Sequence, residues 1–274
     1  MAANRFPATP LEMVKSFIRH RSLIWQMTKR EVIGRYRGSV MGILWSFLNP
    51  LLMLTVYTFV FSTVFKARWG SGTESQTDFA IVLFSGMIVY GIFAECINRA
   101  PSLVLSNVSY VKKVVFPLEI LTWTALGSAL FHSLVSLVVL VCAMLIFERA
   151  LNWTVLLFPL VLLPLVMITL GLAWFISAAG VYVRDIAQTT GIFTTVLMFL
   201  SPVFYPLSAL PEKYQRILML NPLAFVIEQG RQVLIWGKLL DFEGWGLHCA
   251  ASLAVAWGGF WWFQRTRKGF ADVL

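Results

Sequence analysis

Apolar and polar positions fall along this chain in long blocks rather than alternating residue by residue. Lys29, Arg30, Arg35 and Arg37 crowd into nine residues, and after Arg37 no charge appears until Lys66. That boundary marks a change of solvent. Basic groups favour water and headgroups, and the apolar run beyond them can satisfy its backbone in lipid only as a helix. About 20 apolar residues cross the hydrocarbon, and Ser39–Phe65 exceeds that even with Asn49-Pro50 inside it. Five further blocks follow, at Phe79–Ile97, Leu118–Phe147, Thr154–Val183, Ala187–Phe204 and Leu247–Phe263, so the pattern predicts six spans. The fifth is the weakest, diluted by Gln188, Thr189, Thr190, Thr194 and Thr195.

Two stretches outside the spans carry structure of their own. In Leu11–Tyr36, the apolar residues Leu11, Val14, Phe17, Ile18, Ile24, Trp25 and Val32 fall broadly on one side at helical spacing. Lys15, Arg19, Arg30 and Arg37 gather on an adjoining side. Such a helix lies in the membrane interface or docks on another protein surface, and the two readings are compatible. Between the fifth and sixth blocks, Pro202, Pro206, Pro211 and Pro222 break a segment that is too apolar for a free loop. Short re-entrant helices at the outer face fit both facts. The expected fold is therefore an all-α integral membrane protein. Residues 1–38 form a cytoplasmic N-terminus and amphipathic interface helix. Residues 39–263 form a six-span domain with a re-entrant outer segment at about 205–235, and 264–274 a cytoplasmic tail.

Composition agrees with the pattern. Of 274 residues 58% are hydrophobic and 13% charged, with mean hydropathy +0.76, where soluble domains carry about 25% charge. The net charge of +9 does not indicate nucleic acid, because the basic residues sit at the ends of apolar runs rather than along a groove-reading element. They also orient the chain. Fifteen lie in the N-terminal segment, the Arg99–Pro117 loop, the Arg184 loop and the tail, against seven in the opposite loops, which places both termini in the cytoplasm. No cleavable leader is expected, since Met1–Pro10 is polar and the first apolar run is too long for a signal peptide. Cys96, Cys142 and Cys249 lack metal or redox spacing and read as packing cysteines.

The chemistry that is missing narrows the function. No G-x-x-x-x-G-K-[ST] run occurs, since Gly237-Lys238 lacks the upstream glycine, so any nucleotide must be held by another chain. His20, His132 and His248 are far apart, and His132 in an apolar span reads as a packing group. Clustered acids or histidines expected of a membrane enzyme do not occur. Glu95 allows a proton-relay reading, though an i,i+4 pair with Arg99 explains it more simply. Gly34, Gly38, Gly42 and Ser46 recur every four residues, a small-residue stripe that serves either a dimer seam (Gly38, Gly42 and Ser46) or packing within one subunit.

Four motifs, in order and spacing, resemble one family. They are Arg35-Tyr36-Arg37-Gly38-Ser39 with Met41-Gly42, Leu44-Trp45 and Asn49-Pro50; Val111-Lys112-Lys113-Val114-Val115-Phe116-Pro117; Arg184-Asp185-Ile186; and Ser201-Pro202-Val203-Phe204-Tyr205-Pro206 with Leu220-Asn221-Pro222-Leu223. Together they resemble ABC type-2 permeases that export polysaccharides, over essentially the whole chain after its first ten residues. A longer polar N-terminus and the long Arg68–Asp78 loop are mild departures.

The resemblance implies a permease in a bacterial inner membrane, paired with a second copy of itself and with two ATPase subunits that bind ATP and magnesium. No cofactor is expected in this chain. The substrate implied is a lipid-linked glycan, O-antigen first, then capsule or teichoic acid. A drug or lipid exporter on the same scaffold, an ion channel and a membrane enzyme remain as alternatives. Ser106, Asn107, Tyr110, Lys112 and Lys113 would seat in the ATPase. Trp45, Tyr57, Phe61, Phe199, Phe204 and Tyr205 would line the channel, where flat aromatic faces let sugar rings slide. Lys29, Arg30, Arg35 and Arg37 would meet the lipid phosphate.

Overall fold

A computed structural model describes residues 7–64, 76–112, 116–147 and 151–274, and among these every regular element is helical. Helix α1 (Pro10–Tyr36) starts where Thr9 Oγ1 accepts the Glu12 N–H at 3.2 Å, with a proline in its first turn. It ends at an elbow where Gly38 (φ 89°) and Gly42 (φ 52°) adopt left-handed backbone that side chains disfavour. Then come α2 (Trp45–Tyr57), continued by a π-helical turn at Thr58–Val64, α3 (Gln76–Arg99), the short α4 (Val108–Lys112) and α5 (Ile120–Ile146). The second half contains α6 (Phe158–Val161), α7 (Leu163–Tyr182), α8 (Ile186–Leu200), α9 (Glu212–Met219), α10 (Pro222–Leu234), α11 (Phe242–Thr266) and α12 (Phe270–Val273).

Among the described residues, four stretches are long and apolar enough to cross a membrane: Gly42–Phe61, Phe79–Ser102, Ile120–Ile146 and Trp153–Tyr182. The two other expected spans differ from these. Helix α8 has 15 residues, about 22 Å at 1.5 Å per residue against a hydrocarbon layer of about 30 Å. Helix α11 is long enough at 25 residues, but Glu243, His248, Gln264 and Arg265 make it less apolar. The threonines that dilute α8 have a physical reason. Thr190 and Thr194 are its buried residues; Thr194 donates to Asn98 Oδ1 at 3.0 Å, and its carbonyl accepts the Tyr90 hydroxyl at 2.7 Å. Thr194 fastens α8 to α3.

Glycine sets the closest helix contacts. A Cβ on Gly259 would stand 1.9 Å from the carbonyl oxygen of Gly171, so α7 and α11 meet backbone to backbone. At Gly127 a Cβ would lie 2.7 Å from Thr28 Oγ1, which is how α1 seats on α5. Helix α1 consequently has two faces. Met13, Ser16, Ile24, Thr28 and Val32 are buried against the bundle, while Leu11, Val14, Ile18 and Trp25 stay exposed at helical spacing. Protein docking and an apolar outer face therefore coexist on one helix.

The outer segment splits in the same way. Helix α9 buries nothing, whereas α10 buries Leu223–Ile227 and most residues after them. Its Arg231, which the sequence suggests is an outer-loop charge, is fully buried. The guanidinium donates to the carbonyls of Val82 (3.2 Å), Pro202 (2.6 Å) and Val203 (2.9 Å), with Glu228 at 3.6 Å. One side chain thus ties α10 and the proline turn after α8 to α3.

Candidate substrate path and coupling surface

Helices α2, α3 and α5 and the end of α1 enclose a cavity of about 280 Å³. Its polar end is built by Arg35, Glu95, His132, Ser136 and Asn49. Arg35 Nη2 donates to Glu95 Oε1 at 2.5 Å, and His132 Nδ1 lies 3.1 Å from Glu95 Oε2. Arg99 approaches the same carboxylate at 3.7 Å and pairs with Glu31. The expected Glu95–Arg99 pair therefore exists but is the longest of the three contacts. His132 is not the lone packing group its position suggested. The chain brings the end of α1, packed on α5, to the same point of α3, a juxtaposition that no local spacing reveals.

The other end of the cavity is apolar, lined by Met53, Tyr57, Phe84 and Ile88. From Tyr57 an aromatic row continues. Tyr57 and Phe61 rings lie 6.4 Å apart, Phe61 stacks with Phe204 at 6.5 Å, and Phe204 with Phe199 at 5.7 Å. Tyr205 closes the row by donating to the Phe199 carbonyl at 3.2 Å. Five of the six aromatic candidates are thus contiguous; Trp45, at the start of α2, stands apart from them and is exposed. Exposed apolar residues flank the row, including Leu52 and Val56 on α2, Phe59 in the π-helical turn after it, and Ile192 and Val196 on α8.

The four basic candidates separate. Lys29 and Arg37 are exposed, Arg35 faces Glu95, and Arg30 Nη2 donates to the Tyr110 hydroxyl at 3.1 Å. That bond joins α1 directly to the loop expected to couple. Tyr110 also stacks on Phe116 at 4.4 Å. Ser106 and Asn107 hold the loop's turns by donating to the carbonyls of Ser102 (2.7 Å) and Leu103 (2.9 Å). Lys112 is exposed at the end of α4, and Lys113 lies outside the described residues.

The small-residue stripe is not one helix face. Gly38 and Gly42 form the elbow after α1, their added Cβ atoms would meet nothing within 4 Å, and only Ser46 lies in α2, buried and lining the cavity. Left-handed backbone by itself requires these two glycines.

A residue with no assigned role from sequence proves to be a hub. Glu119 precedes α5, where an acid suits the helix dipole. Its carboxylate accepts Ser16 Oγ at 2.9 Å and Arg267 Nη1 at 2.8 Å, and its carbonyl accepts Trp174 Nε1 at 3.0 Å. It binds α1, α7 and the C-terminal tail at one point. Burial draws the Arg267 guanidinium below its ordinary pKa, while the Glu119 carboxylate acts in the opposite direction.

A helical membrane domain whose N-terminal helix is bonded to the loop between its second and third spans has the build of a transporter's membrane subunit. Residues 22–235 match the ABC-2 type transporter family, and the chain belongs to it. Among curated relatives, the O-antigen export system permease protein RfbA of Myxococcus xanthus is 28% identical, over 96% of this chain and 100% of its own length. The RfbA permease of Klebsiella pneumoniae is 24% identical over 92% of this chain and 95% of its own. The polysialic acid transport protein KpsM of Escherichia coli is 24% identical over 77% and 81% respectively. The capsule polysaccharide export inner-membrane protein CtrC of Neisseria meningitidis is 26% identical over 81% and 83%.

Proposed function

We propose that this chain is the permease of an ATP-driven exporter that carries a lipid-linked polysaccharide, O-antigen in particular, out of the cytoplasm across the inner membrane. The observation that carries the reading is similarity to an O-antigen export permease along the whole of that relative's length. The contiguous aromatic row from Tyr57 to Phe199 supports a path for sugar rings. The Arg30–Tyr110 bond supports transmission between loop and interface helix.

In this reading α8 and α11 complete six spans, α9 and α10 form the re-entrant outer segment, and both termini are cytoplasmic. Two copies of the chain assemble with two ATPase subunits that hold ATP and magnesium. Closure of the ATPases presses the Ser106–Lys112 loop, which moves α1 through Arg30. The elbow at Gly38 and Gly42 passes the motion to α2, widening the path between α2 and α8. Lys29, Arg30, Arg35 and Arg37 meet the phosphate of the lipid carrier, and a substrate at the Tyr110 end would compete for Arg30.

Deleting the chain should abolish surface O-antigen while the lipid-linked glycan accumulates inside, and re-expression should restore it. Unaltered surface glycan in the deletion strain would refute the reading. The capsule polysaccharide export relative favours a second reading, capsular polysaccharide. Loss of capsule with intact O-antigen would select it.

A further inference from the structure

We propose that the cavity at the polar end of α2, α3 and α5 is a headgroup pocket for a phosphate-bearing lipid, in which Arg35 is the phosphate ligand and Glu95 its resting counter-ion. The inference rests on the export reading above and adds the pocket and its exchange mechanism.

The cavity has the polarity of an amphiphile. At one end stand Arg35, Glu95, His132 and Asn49, and at the other Met53, Phe84 and Ile88. Along α3, Glu95 and Phe84 are separated by about 16 Å of helix at 1.5 Å per residue. A volume of about 280 Å³ takes a phosphate head with the first carbons of its chain, not a whole lipid. The apolar tail would leave past α2, whose outer face is exposed at Leu52 and Val56.

Charge within the cavity is balanced, and each balance can shift. Arg35 is held by Glu95 at 2.5 Å, yet its side chain is 39% exposed and therefore reachable. A phosphate offers the planar guanidinium the same bidentate geometry as a carboxylate, with more charge. When it takes Arg35, Glu95 is not stranded, because His132 at 3.1 Å and Arg99 at 3.7 Å remain on the same carboxylate. His132 Nδ1 also lies 3.0 Å from Arg35 Nη1, from which it can only accept; once phosphate draws Arg35 away, the tautomer with its proton on Nδ1 donates to Glu95. In that tautomer Nε2 is a buried acceptor with no hydrogen-bond partner among the described residues. Glu95 has a second effect. Its charge repels any phosphate that enters, which keeps binding weak enough for release, as conduction through a path requires.

The test uses the full-length permease with its ATPase partner in detergent and measures binding by calorimetry. The probes are a short-chain prenyl phosphate and, separately, inorganic phosphate. Arg35→Gln should weaken prenyl phosphate binding about tenfold or more, since a charge-assisted pair is lost. Glu95→Gln should tighten it severalfold. In the double variant, Glu95→Gln should tighten binding less than it does in the wild type, because the direct repulsion is still relieved but the competition for Arg35 is gone. Arg35→Lys, which keeps the charge, should retain part of the affinity and so separates ligand loss from misfolding. Lys15→Gln, exposed on α1, should change nothing.

Glu95→Gln that weakens binding or leaves it unchanged would overturn the exchange. Inorganic phosphate binding as tightly as the prenyl phosphate would overturn the lipid assignment. A wild-type complex that translocates glycan while its binding ignores both substitutions would overturn the pocket and leave the export reading intact. A complex that binds as described but moves no glycan would do the reverse.

Discussion

Replacing Glu119 with alanine removes the acceptor on which α1, α7 and the tail converge. Both members of the Glu119–Arg267 pair are more than nine-tenths buried, at 2.8 Å. Breaking such a pair from one side costs about 3–5 kcal/mol, because the remaining charge stays buried. Arg267 keeps its bonds to the carbonyl of Phe116 (3.2 Å) and to Gln264 (3.0 Å), which puts the loss near the lower end. Ser16 loses its acceptor as well, adding about 1 kcal/mol. The total of about 4 kcal/mol corresponds to a fall in Tm of roughly 8–12 °C for a chain of this size.

Glu119→Gln keeps one oxygen, which can face Arg267, and sets an amide NH2 toward Ser16, whose hydroxyl can turn to accept it, so its cost should be smaller than that of alanine, about 1–2 kcal/mol. The assay is thermal unfolding of the detergent-solubilised protein, for Glu119→Gln, Arg267→Gln and the double variant. The two sites touch, so the double variant should be less destabilised than the sum by about 1–3 kcal/mol. Additivity within about 0.5 kcal/mol, or an alanine variant with unchanged Tm, would refute the hub.

Arg231→Met should destabilise by about 3 kcal/mol or more, because the buried carbonyls of Val82, Pro202 and Val203 lose their donor; limited proteolysis should cut the turn after α8 faster in this variant, and resistance equal to wild type would contradict the tie. Gly259→Val places a side chain where the Gly171 carbonyl stands and should abolish monodisperse protein on size exclusion. Tyr110→Phe removes the hydroxyl that Arg30 reaches and should reduce export severalfold while the ATPase still co-purifies; full export would show that this bond does not transmit. Tyr57→Ala with Phe204→Ala opens gaps in the aromatic row and should slow glycan release without lowering Tm as far as Glu119→Ala does, read by pulse labelling of surface glycan.

What could be read from sequence follows the range of the interaction concerned. The first four spans are legible because lipid imposes a run of apolar residues that composition alone exposes. The N-terminal helix is legible because its period is local. The fifth apolar block is the weakest in sequence, and one of the threonines that dilute it, Thr194, bonds to Asn98 and Tyr90 on α3, so part of that dilution is tertiary in origin. Glu119, Arg231 and the Arg35–Glu95–His132 cluster were not legible as units. Their partners lie 148, 149 and 60 positions away in the chain, and a lone acid or arginine carries no sign of them. The repeat of Gly38 and Gly42 misled for a related reason. A four-residue period suggests one helix face only if the helix continues, and α1 ends at Tyr36.

The central claim is ATP-driven polysaccharide export through this chain, and reconstitution tests it most directly. The permease and its ATPase would be placed in liposomes with a labelled lipid-linked glycan on the outer leaflet, and ATP added outside. Glycan should become protected within the lumen, dependent on ATP hydrolysis, and this protection should be lost when the ATPase subunit is omitted. Protection that proceeds without ATP would contradict the claim, as would an intact, ATP-hydrolysing complex that leaves the glycan outside.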